Sequence, residues 1–80
     1  MTTITHTTTN GHQITVSCWT GNGLNFQIAI DGDYYTDGTS SIGKGDTEET
    51  EAEHQARATA AEIESGRLRQ IDGRWPIVEE

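Results

Sequence analysis

The side chains best suited to chemistry are one thiol, three imidazoles and thirteen carboxylates. Cys18 follows Ile14 and Val16 in strict alternation, which puts it on the apolar face of a strand, where a thiol behaves as a small inert hydrophobe. His6, His12 and His54 lack the ligand spacing of a zinc site, although His6 and His12 approach each other across a first hairpin. Asp31-Gly32-Asp33 opens like a calcium loop, but Ile42 stands where the bidentate glutamate belongs. Gly21-Asn22-Gly23 and Gly43-Lys44-Gly45 have the composition of turns, without the spacing or flanking elements of a phosphate loop. No nucleophile, base and orienting group form a visible set, so neither an enzyme nor a metal or cofactor site is expected.

The carboxylates are a different matter, because they are so unevenly placed. Residues 1–30 contain no Asp, Glu, Lys or Arg. Residues 31–53 hold Asp31, Asp33, Asp37, Asp46, Glu48, Glu49, Glu51 and Glu53 against Lys44 alone, which accounts for seven of the eight net negative charges. The remaining 54–80 stretch sets five acids against four arginines. Such a field repels nucleic acid and anionic membranes and attracts basic surfaces in a salt-dependent way. Part of the cluster has a local explanation. Carboxylates in the first turns of a helix gain about 0.3–1 kcal/mol each from the macrodipole, and Glu53 with Arg57 forms a favourable i, i+4 pair. The crowding nevertheless exceeds what capping requires. The expected contact set is therefore Asp31, Asp33, Tyr34, Asp37, Asp46, Glu48, Glu49, Glu51 and Glu53, presented together to a basic protein surface.

Those residues need a scaffold, and 80 residues supply one thin core. Residues 2–9 are rich in β-branched threonine and run into Asn10-Gly11, a strong hairpin signal. A three-residue loop with a glycine bulge puts Ile4 opposite Val16 and His6 opposite Ile14, whereas a two-residue loop would strand Ile4 on the polar face. Leu24, Phe26, Ile28 and Ile30 alternate as a further strand, and Asp31-Gly32 signals the next turn, with residues 34–36 as a fourth strand or an extended edge. Residues 37–45, rich in Gly, Ser and Thr, read as a loop.

Asp46 with Glu49 fits a capping box, with Thr47 as a competing N-cap, and Gly66 sits where a helix C-terminal glycine belongs. Ala52, Ala56, Ala60 and Ile63 make the apolar stripe between them. Residues 67–78 read as a short strand or hairpin turned at Asp72-Gly73, with Pro76 confining the last strand to an edge. The expectation is an α+β domain over 1–80: a β-meander (1–36), a loop (37–45), a helix (46–65) and the tail, with an antiparallel three- to four-stranded sheet packed against the helix. The lone cysteine excludes a disulfide framework, and no basic leader or long apolar run is seen. A reducing, cytoplasmic location is expected.

The start Met1-Thr2-Thr3, the helix segment Ala60-Ala61-Glu62-Ile63 followed by a glycine, and Trp75 near the end resemble the small acidic anti-CRISPR proteins of phages and mobile elements. That group has no common fold, so no residue role carries over. The resemblance implies a binding protein in the host bacterial cytoplasm. It would occupy the basic DNA-binding surface of a CRISPR effector subunit, of a Cascade-type complex or a Cas nuclease, as a nucleic-acid mimic. The competing expectation is an assembly module that forms a homodimer through an exposed strand edge such as residues 2–9.

Overall fold

The computed structural model describes residues 1–40 and 47–75. Four strands, β1 (Thr2–Thr7), β2 (Gln13–Gly21), β3 (Gly23–Ile30) and β4 (Asp33–Ser40), form an antiparallel meander in the order β1-β2-β3-β4, and one helix, α1 (Glu48–Glu64), covers one face. This is the expected α+β architecture.

Register follows the apolar alternation. Ile4 pairs with Val16 and His6 with Ile14, because a one-residue slip would turn every core side chain to solvent. Residues 9–11 form the loop, closed by Thr8 N–H donating to the His12 carbonyl at 2.8 Å, with Gly11 at φ +88°. Asp31 and Gly32 both take positive φ, as a tight two-residue hairpin requires. A bulge follows, so that β4 resumes its pairing at Thr36 opposite Ile28 and Tyr35 turns into the core.

The fourth strand runs further than the sequence indicates, and residues 37–40, expected in a loop, are its second half. The reason is non-local. Gly38 lies opposite Phe26, whose ring occupies the space of the missing side chain: a Cβ at Gly38 would stand 2.7 Å from Phe26 Cζ. Loop-like composition is here a fit to a cross-strand aromatic.

The helix begins at Glu48 instead of residue 46, with Thr47 as N-cap. The Thr47 hydroxyl accepts from Thr50 N–H at 3.1 Å, and Thr47 N–H donates to Thr50 Oγ1 at 2.9 Å. The expected Asp46–Glu49 box is thus replaced by a pair of threonines, and Asp46 itself lies outside the described residues. At the other end Gly66, at φ +80°, donates to the Ile63 carbonyl and Leu68 N–H to that of Glu62.

Ala52, Ala56, Ala60 and Ile63 are buried on Ile14, Val16, Cys18, Ile28 and Ile30, and the small stripe lets the helix lie close. It packs chiefly over β1 and β2 and reaches β3 less. Leu68 and Trp75 fold back to complete the core, joined by a turn in which Ile71 and Arg74 exchange backbone hydrogen bonds. Ile71 and Tyr34 are 63% and 48% exposed. Residues 76–78 of the strand or hairpin expected over 67–78 lie outside the described residues.

Candidate functional site

The carboxylates of the middle segment divide into two groups. In the first, the fold consumes the charge. Asp31, held at φ +53°, accepts from Gln13 N–H at 2.9 Å and meets His12 Nδ1 at 2.7 Å. The backbone donor first, and the imidazole second, hold its carboxyl below the usual range. His12 in turn stands edge-on to Trp75 with ring centroids 4.9 Å apart. Glu48 accepts from the Thr20 hydroxyl at 2.7 Å and from Thr2 at 3.2 Å, and these bonds, led by Thr20, lower its pKa. Glu51 accepts from Ser40 at 2.8 Å and from Gln55 at 3.0 Å, tying the end of β4 to the helix.

The second group closes no ion pair among the described residues. Glu49 and Glu53 are exposed one helical turn apart, and Glu53 lines a shallow depression beside Ile4, His6 and Arg57 on the β1 flank. Glu53 and Arg57 do not close into an ion pair; among the described residues the ion pairs join Met1 to Glu48, His12 to Asp31 and Arg67 to Glu62. Asp33 and Asp37 are exposed on β4, with Tyr34 between them. The Asp37 carboxylate, hydrogen-bonded to the Tyr34 phenol, raises the phenol's pKa. The nine expected residues therefore do not share one face. Tyr34 and Asp37 come together on the β4 edge, Asp33 stands at the start of that strand beside Arg74 and Trp75, and Glu49 and Glu53 lie on the opposite flank, while Asp46 lies outside the described residues.

One carboxylate with a structural role escapes sequence reasoning. Glu64 accepts from Thr9 N–H at 2.9 Å, which lowers its pKa and fastens the helix end to the first hairpin. No local pattern marks a partner 55 positions away.

Because the helix sits off centre, a groove of about 220 Å³ is left between it and the β3–β4 half of the sheet. Phe26, Ile28, Tyr35, Ala58 and Leu68 line it, and Asp37 and Glu62 stand at its rim. Cys18 lies elsewhere, fully buried, with its pKa pushed up by burial first and by Glu51 and Glu48 next, the reverse of an activated thiolate. Among the described residues no three His, Cys, Asp or Glu side chains are grouped to hold a metal ion, and no helix is long and apolar enough to cross a membrane. Comparisons with known protein families, with curated proteins and with solved structures return no match.

Proposed function

We propose that this protein is an acidic inhibitory binding module, without a catalytic step, that occupies a basic surface of a partner protein. The observation that carries the reading is the second group of carboxylates: Asp33, Asp37, Glu49 and Glu53 are exposed, and none is in an ion pair among the described residues. Like charges kept unneutralised on so small a fold repel one another, and that repulsion is relieved when a cationic surface docks. The resemblance to anti-CRISPR proteins supplies the partner class to test, the DNA-binding surface of a CRISPR effector, whose cationic channel normally neutralises phosphates.

The test is competition between the protein and target DNA for purified Cascade-type and Cas-nuclease effectors, at low and raised salt. DNA binding should fall when the protein is added and recover with salt. The charge-reversed pairs Asp33→Lys with Asp37→Lys, and Glu49→Lys with Glu53→Lys, should restore DNA binding in at least one case. If both reversed forms compete as well as the parent, acidic mimicry is wrong; if no effector responds at all, the CRISPR assignment falls.

Self-assembly is the second reading, and one observation favours it. The outer edge of β1 carries no carboxylate along Thr2–Thr7, so the strand itself has no charge that repels a second copy. Sedimentation that finds only monomer at high concentration removes it.

A further inference from the structure

We infer that the outer edge of β4 is a strand-addition site for an extended segment of a partner protein in which apolar and basic side chains alternate. The inference rests on the acidic-binding reading and specifies where and how the partner docks.

The backbone supplies the first part of the case. The Gln13 carbonyl accepts from Asp31 N–H at 2.8 Å. Alternation from that bond turns the peptide groups of Gln27 and Asn25 toward β2 and those of Ile28, Phe26 and Leu24 toward β4. Their partners Thr36, Gly38 and Ser40 must then face β3, so the N–H and C=O groups of Asp37 and Thr39 point off the sheet. Among the described residues no backbone hydrogen bond joins β4 to any element other than β3. A row of donors and acceptors is thus presented to an added strand.

The two faces beside this row specify the side chains that such a strand carries. On the helix side it runs along the groove over Phe26, Ile28, Tyr35 and Leu68, which suits every second residue being apolar. On the open side the register places Asp37 in one row with Gln27 and Ser17. The intervening residues of the added strand therefore lie against the Asp37 carboxylate, which suits lysine or arginine. The same charge argues against a second copy of this chain as occupant, because antiparallel pairing of β4 with itself puts the Asp37 carboxylates of both copies on the same open face, the usual guard on an edge strand.

The experiment uses the whole protein and a fluorescein-labelled peptide alternating valine and lysine, followed by anisotropy at low salt. A peptide of the same composition, with its valines in one block and its lysines in another, is the comparison. The alternating peptide should bind at least about tenfold tighter than the block peptide, since only the former places both side-chain types on the correct faces. Thr39→Pro removes an outward N–H and spares the backbone ladder to β3, while giving up the bond that the Thr39 hydroxyl donates to Asn25 Oδ1 at 2.7 Å, and Asp37→Lys reverses the selecting charge; each should weaken binding by about tenfold or more. Unchanged circular dichroism and melting would show that both variants fold. Glu49→Lys with Glu53→Lys, on the far flank, should bind like the parent. Equal binding of the two peptides, or parent-like binding by the folded Thr39→Pro variant, overturns the inference. Loss of binding in the Glu49/Glu53 variant instead moves the contact to the other flank and leaves the acidic-binding reading standing.

Discussion

The two outer strands of the sheet are treated in opposite ways. Over β1 the helix is fastened at both ends by carboxylates whose charge is spent on hydroxyl and backbone donors: Glu48 on Thr2 and Thr20, and Glu64 on Thr9. Over β4 the helix stands away, among the described residues Glu51 alone reaches across, to Ser40, and the strand keeps Asp33 and Asp37 exposed beside the groove. A small acidic protein can thus use one part of its charge as internal staples and leave the rest for a partner. Sequence position does not separate the two: Glu48 and Glu49 are neighbours, and among the described residues only Glu48 of the pair is stapled.

The sharpest way to break this comparison is to empty the core on the β2 side. Ile14 is fully buried beneath the helix, so Ile14→Ala should cost about 2–5 kcal/mol in urea unfolding. Thr36→Ala on the groove side should stay under about 1 kcal/mol. Equal losses would mean that the two halves are packed alike.

Gly38→Ala comes next. The added methyl meets the Phe26 ring, and overpacking of this kind costs about 1–3 kcal/mol. A second change, Phe26→Leu, should recover part of the loss if the ring is the obstacle.

Acid titration separates the stapled carboxylates from the free ones. Asp31, Glu48 and Glu64 have folded-state pKa values depressed below their ordinary 3.8 and 4.5. Their contribution is therefore present above those ordinary values and is lost as pH falls through the depressed folded ones. The melting temperature should decline on that acid limb, and the decline should be shallower in Glu48→Gln and Glu64→Gln. Glu53→Gln, by contrast, should leave stability within about 0.5 kcal/mol of the parent at neutral pH, since its carboxylate is exposed and closes no ion pair among the described residues.

The same contrast explains what was legible in the sequence. The first hairpin's register could be read because Ile4, Ile14 and Val16 have only one shared face, and the helix stripe because alanine at every fourth position has one physical use. The second half of β4 could not, since Gly38 and Ser40 look like loop residues until Phe26 and Glu51 are brought against them. Nor could the staples, because a carboxylate carries no local sign of a threonine partner 28 or 46 positions away. The charge segregation was plain in the composition. Its division between two flanks follows from where the helix sits on the sheet, which is a property of packing.

Amide hydrogen exchange by NMR, with and without the alternating valine–lysine peptide, reports strand by strand where the partner segment docks. The amides of Asp37 and Thr39 should slow by about tenfold or more on binding, while those of β1 keep their rates. Protection appearing on β1 with Asp37 and Thr39 unchanged would contradict docking on β4.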